Sequence, residues 1–124
     1  MKIYLAHARG YDFINELYNP IKNSDLGKKY EFVFPHSETQ DQFDSKNFFK
    51  TDCKLVVAED SYPKIGLGIE LGWANLLNIP IICVYKKGQE ISGSLKVISN
   101  NFIEYENSDD LVDRLKIEVI KFTI

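Results

Sequence analysis

Arginine is scarce in this chain: Arg9 and Arg114 are the only two among 124 residues. Lysine does not restore a basic surface, since fifteen Lys and Arg face eighteen Asp and Glu, for a formal charge of −3. A general DNA or RNA binder carries a basic excess, so no nucleic-acid partner is expected. Long apolar runs are missing as well. None nears the ~18 residues that span a bilayer, and no membrane partner is expected. His7 and Arg9 interrupt the opening Met1-Lys2-Ile3-Tyr4-Leu5-Ala6 too early for a signal peptide. Cysteine is limited to Cys53 and Cys83, both in segments that read as buried. Without an export signal, reduced thiols and a cytoplasmic location are expected. His7 and His36 have no Cys, His or carboxylate at ligand spacing, so neither a zinc site nor another cofactor is expected. No Gly-x-Ser-x-Gly is present, and Cys53 lacks a histidine spaced as a partner, which argues against serine and thiol nucleophiles. The remainder is ordinary globular composition, 44% hydrophobic and 27% charged, and the length fits one domain over residues 1–124.

What is present is alternation. Ile3-Tyr4-Leu5-Ala6, Glu31-Phe32-Val33-Phe34-Pro35, Leu55-Val56-Val57-Ala58, Pro80 to Tyr85 and Phe102 to Tyr105 read as five strands. Between them lie segments of helical spacing: Phe13 to Ile21, which Pro20 should kink or end; Phe43 to Lys50, capped by Asp44 or Ser45; Ile69, Trp73, Leu76 and Leu77; and Ser92 to Ile98. A closing helix starts at Ser108-Asp109-Asp110, with Leu111, Leu115 and Val119 on one face. Such regular alternation predicts an α/β fold: a single-domain, flavodoxin/Rossmann-like five-stranded parallel sheet with helices on both faces. Right-handed crossovers favour the order 2-1-3-4-5. Ligands then bind beyond the carboxyl ends of the first and third strands, at the loops His7–Tyr11 and Glu59–Gly68.

Both loops are chemically unusual. Gly66, Gly68 and Gly72 fall in one run, Lys64-Ile65-Gly66-Leu67-Gly68-Ile69-Glu70-Leu71-Gly72. Gly66 and Gly68 would let backbone amides approach a ligand at a helix start, and Gly72 would seat the helix against the sheet. A helix start there favours an anion. Glu70 is expected in the first turn with its carboxylate ionised, either facing the crevice or simply completing a cap. Arg9 and Gly10 follow the first strand, and Lys64 sits opposite. Those cations would hold a phosphate, unless Lys64 is merely a solvated loop residue. Tyr4 reads as a buried aromatic whose hydroxyl needs a partner, with Glu70 the candidate. His7 and His36 each follow a strand and would line the mouth. Phe32, Phe34, Phe48, Phe49 and Phe102 read as core.

The run from Val56-Val57-Ala58-Glu59 through Pro63-Lys64-Ile65-Gly66-Leu67-Gly68-Ile69-Glu70-Leu71-Gly72-Trp73-Ala74 resembles the nucleoside 2-deoxyribosyltransferase superfamily. Within it, the likeness is greatest to the 2'-deoxynucleoside 5'-phosphate N-hydrolases. Met1 to Gly10 resembles their opening strand with a tyrosine and an Arg-Gly phosphate loop, and Ile91-Ser92 their Leu-Ser pair. The resemblance implies an N-glycosidase that hydrolyses the base–sugar bond of a (deoxy)nucleoside 5'-monophosphate. Glu70 would be the nucleophile forming a glycosyl-glutamate ester, oriented by Tyr4. Arg9, Ser92 and the amides near Gly66 and Gly68 would hold the phosphate. Ser92 would serve a neighbouring subunit, which implies a homodimer. The family's acid falls about two dozen positions before the nucleophile, a count that lands on Lys46. Asp44, two residues away, and Asp60 are the candidate acids. The chain departs from the family in having His7 and Lys64 where the hydrolases have serine. The alternatives are base exchange between nucleosides, or a nucleotide-binding and sensing module without catalysis.

Overall fold

A computed structural model describes residues 1–37 and 43–123. Five strands, β1 (Lys2–His7), β2 (Glu31–Val33), β3 (Cys53–Glu59), β4 (Ile81–Lys86) and β5 (Asn101–Tyr105), form one sheet of order β2-β1-β3-β4-β5. Every pairing is parallel. This is the expected architecture and order, and it puts the reversal of strand order between β1 and β3.

The helices are α1 (Asn19–Lys22), α2 (Asp25–Lys29), α3 (Ser45–Thr51), α4 (Ile65–Leu76), α5 (Leu95–Ile98) and α6 (Ser108–Ile120). The helical segment ends at Lys22, two residues past Pro20, as the proline predicts. Pro20 occupies the first turn of α1, and a π-helical turn at Ile14–Tyr18 leads into it. Asp44 caps α3 by accepting the Asn47 N–H at 3.1 Å, and Asn107 does the same for α6 through Asp110 N–H at 2.9 Å. The second strand stops at Val33, short of Phe34 and Pro35.

Side chains alternate across the sheet, so successive strand residues enter different cores. Ile3, Leu5, Leu55 and Val57 pack with the helices α1, α2 and α6 through Ile21, Leu26, Leu111, Leu115 and Val119. Tyr4, Ala6, Val56 and Ala58 face the other way, onto Phe49 of α3 and Leu67, Leu71 and Ala74 of α4. Among the aromatics read as core, Phe32 and Phe49 are buried, and Phe34, Phe48 and Phe102 pack against the core partly buried.

The helix α4 differs from the sequence reading in which face it buries. The spacing at Ile69, Trp73, Leu76 and Leu77 marks a helix correctly, yet Ile69, Leu76 and Leu77 are exposed. The helix is apolar nearly all round, so periodicity alone does not select the inward face. Gly72 is not a seat against the sheet either: a Cβ built there meets nothing within 4 Å. No helix among the described residues is long and apolar enough to cross a membrane.

Candidate active site

Tyr4 is an even-numbered residue of β1 and therefore points to the face covered by α3 and α4. That geometry brings its hydroxyl to Glu70, to which it donates a hydrogen bond of 2.6 Å at Oε2. The Tyr4 ring is 1% exposed and wedged against Phe49, edge-on with centroids 5.0 Å apart. Its orientation is therefore set by packing rather than by the bond it makes. Burial first, and the nearby Glu70 charge second, push the Tyr4 pKa well up, so this group remains a donor.

Glu70 is the sixth residue of α4, one turn deeper than expected. The first turn carries no acid, and Lys64 stands at the N-cap with no side-chain cap bond. The glutamate is thus not completing a cap. It is partly buried, and burial raises its pKa, opposed by the hydrogen bond from Tyr4 and by the nearby Ser45 hydroxyl. The Tyr4 donor holds this half-buried carboxylate in place and opposes the rise without reversing it.

Both residues line a cavity of about 640 Å³ at the carboxyl ends of β1 and β3, the predicted crevice. Of the expected site residues, His7, Arg9, Gly10, His36, Asp44, Lys64 and Gly66 also line it. Contacts sort the lining into two ends. At one, the Lys64 side chain lies over Gly10, its Cε 3.9 Å from where a Cβ would stand. Arg9 and His36 belong to this end. At the other, Phe43, Asp44, Ser45 and Lys46 from the start of α3 face Ile69 and Trp73 of α4.

The histidines differ from the sequence reading in what holds them. His7 is 6% exposed. Its Nδ1 lies 2.7 Å from the Ala8 carbonyl, which only accepts, so Nδ1 carries the proton. Nε2 then accepts from the Tyr18 hydroxyl at 2.6 Å, and that oxygen in turn accepts the His36 N–H at 3.2 Å. Burial depresses the His7 pKa to about 4, which keeps the ring neutral. His7 therefore braces the cavity floor, its ring nitrogens already occupied. Nδ1 of His36, by contrast, is buried without a hydrogen-bond partner among the described residues, and burial lowers that ring's pKa too.

Asp60, Gly68 and Ser92 are placed elsewhere. They line a second cavity of about 270 Å³, on the far side of Leu67 and Lys64, with Leu71, Leu95 and Ile98. Asp60 is 4% exposed, its Oδ2 has no hydrogen-bond partner among the described residues, and burial raises its pKa to about 7. The loop carrying it is pinned from the opposite core. Glu59 accepts from the Tyr105 hydroxyl and, at 2.6 Å, from Ser61 N–H. Asp44, which lines the first cavity, spends one carboxylate oxygen on its cap.

Sequence reasoning missed Ser45 as a neighbour of Glu70, and Phe43 and Trp73 as lining. Ser45 was legible only as an alternative cap. Nothing in its spacing ties it to α4, because that contact depends on how α3 lies against its neighbour.

A doubly wound α/β domain with a tyrosine-supported carboxylate at the switch point is the class these observations define. No family model matches the chain. Over 68 residues it is 38% identical to a Syntrophotalea carbinolica protein that bears the provisional name 2'-deoxynucleoside 5'-phosphate N-hydrolase 1. The match covers 52% of this chain and 48% of that protein, so the chain spans about half the length of the curated relative it matches. Among solved structures the fold is similar to the Clostridium botulinum CMP N-glycosidase, with a TM-score of 0.65 and 22% identity over 94% of this chain and 99% of the other. It is also similar to the constitutive lysine decarboxylase of E. coli, with a TM-score of 0.57 and 15% identity, covering 98% of this chain and 18% of that one. At those identities the structures bear on fold alone. The resemblance carried by the Gly-x-Gly-x-Glu-Leu-Gly block is borne out.

Proposed function

We propose that the chain is an N-glycosidase that hydrolyses the base–sugar bond of nucleoside 5'-monophosphates. The observation that carries this reading is the 2.6 Å bond from Tyr4 to Glu70 inside an open cavity whose other end is cationic. A carboxylate held by the Tyr4 hydroxyl on the wall of an open cavity has the form of a positioned nucleophile. Glu70 would attack the anomeric carbon as the base leaves, giving a glycosyl ester that water then cleaves, as in retaining glycosidases. Arg9 and Lys64, beside the N-terminus of α4 with its open Gly66, offer charge-assisted bonds to a 5'-phosphate. The names of the S. carbinolica relative and of the C. botulinum structure agree with such a substrate.

A panel of nucleoside monophosphates and the matching nucleosides, with chromatographic detection of freed base, tests this. Base release from the phosphorylated set, abolished in Glu70→Gln without a change in thermal unfolding, is the expected result. Full turnover by that variant removes Glu70 from the role. Adding a different free base to the same incubation separates hydrolysis from exchange, since exchange yields a new nucleoside.

The same reading includes a homodimer. Ser92 lies outside the Glu70 cavity, so within one subunit it does not complete the phosphate site. Ile65 (85%) and Leu76 (80%) on α4 and Val97 (83%) on α5 leave an apolar face open on that side. A dimer in solution that Ile65→Asp or Val97→Asp dissociates is expected, and a strict monomer at high concentration argues against it.

A further inference from the structure

We propose that Tyr11 and Tyr62, tied from behind by Lys86, are positioning residues: their stacked rings clasp the two loops that carry Arg9 and Lys64, and so set the spacing of the cations that receive a substrate's phosphate. This rests on the N-glycosidase reading above.

Arg9 and Lys64 stand on different loops, one after β1 and the other after β3, and each loop carries a tyrosine two residues from its cation. The Tyr11 and Tyr62 rings stack, with centroids 4.5 Å apart and an interplanar angle of 30°. Both are half-buried. The Tyr11 hydroxyl is buried with no hydrogen-bond partner among the described residues, so the ring rather than the hydroxyl makes the contact. Lys86, at the end of β4, ties both loops. Its Nζ donates to the Tyr62 hydroxyl at 2.7 Å and to the Glu16 carboxylate. Glu16 belongs to the π-helical turn into which the Tyr11 loop runs. The Lys86 N–H also donates to Ser61 Oγ at 2.8 Å, which holds the residue before Tyr62. On the cavity side the same two loops meet again, where the Lys64 side chain lies over Gly10. Neither tyrosine lines the first cavity, so each acts through the cations rather than on the substrate.

A charge-assisted bond to a phosphate oxygen is short, about 2.7 to 2.9 Å, so two cations on separate loops serve one phosphate only when the loops are held at a fixed separation. Surface loops are otherwise the more mobile part of a domain. Ring stacking orders these two when the chain folds, so that binding does not have to order them. The consequence is specific. Loosening the clasp weakens the grip on a phosphate, while the Tyr4–Glu70 pair, made between the middle of β1 and the sixth residue of α4, keeps its own hydrogen bond. Affinity for phosphorylated ligands therefore falls, and turnover of substrate already bound persists.

The test is calorimetric binding of ribose 5-phosphate to the wild type, Tyr11→Phe, Tyr11→Leu, Tyr62→Leu, Lys64→Met and the double variant Tyr62→Leu with Lys64→Met. Either leucine variant is expected to raise Kd about tenfold, as Lys64→Met does, while Tyr11→Phe, which keeps the ring, stays within about twofold of wild type. The double variant is expected within about twofold of Lys64→Met alone, because with one cation left there is no spacing to set. On nucleoside monophosphates, KM rises in step in the leucine variants and kcat stays within about threefold. An unchanged Kd in both leucine variants, losses that multiply in the double variant, or a Tyr11→Phe as weak as Tyr11→Leu overturns the proposal. So does a fall in kcat at unchanged KM, or a wild type that does not bind ribose 5-phosphate. If a leucine variant does not fold, Lys86→Met, with both rings intact, decides: a Kd raised at least about threefold supports the clasp, and an unchanged Kd overturns it. A wild type that binds ribose 5-phosphate but frees no base from any monophosphate brings down the N-glycosidase reading and leaves the clasp standing on the binding data.

Discussion

Replacing Asp60 by asparagine is expected to flatten a fall in stability that the wild type shows as pH rises from about 5 to about 8. The side chain is 4% exposed, one oxygen lacks a partner among the described residues, and the Glu59 charge lies nearby. Burial, the largest cause, lifts its pKa from 3.8 to about 7 in the folded protein. Between those values the folded state keeps a proton that the unfolded chain has released. Stability from this group is therefore fully present below pH 3.8 and is lost as pH climbs through about 7. At about 1.4 kcal/mol per pH unit, the part lost between pH 5 and 8 is about 2 to 3 kcal/mol. Asparagine keeps the shape and has no proton to lose. Urea unfolding of both proteins at about pH 5, 6, 7 and 8 isolates this term, because titrating groups not coupled to Asp60, His7 among them, cancel in the difference. A wild-type-minus-variant difference that stays constant across that range refutes the reasoning, and would mean that the Asp60 carboxyl is solvated when ionised.

Tyr4→Phe removes a donor that lowers the Glu70 pKa. Its acid limb in a plot of kcat/KM against pH is expected to move to higher pH, with a rate loss of about 10-fold or more at neutrality; an unmoved limb would separate Tyr4 from the ionisation of Glu70. Gly27→Ala tests the packing of α2 on the preceding helix. A Cβ there would stand 2.3 Å from the Ile21 carbonyl oxygen and 3.1 Å from its carbon, so backbone must shift. A loss of about 1 to 3 kcal/mol in chemical unfolding is expected, and an unchanged midpoint would show that the helix pair yields freely.

The sequence by itself determined the strand order and the position of the crevice. Unbroken apolar runs at Leu55 to Ala58 and Ile81 to Val84 report burial on both faces, and only a parallel sheet covered by helices on both sides provides that. The glycine-rich run ahead of Glu70 was equally legible, because it is local. The rest was decided across space. Whether Glu70 opens its helix or sits a turn inside turned on where α4 begins, and Lys64 proved to be the cap. Asp60 reads as a neighbour of the glutamate along the chain, yet it lines the other cavity, beyond Leu67 and Lys64 of α4 and its cap. Ser45 reached the glutamate because α3 packs against α4, a contact with no periodicity to announce it. Hydrophobic spacing reports which residues avoid water, whereas a site depends on which side chains from distant segments converge on one point, and only the packing of helices on the sheet sets that.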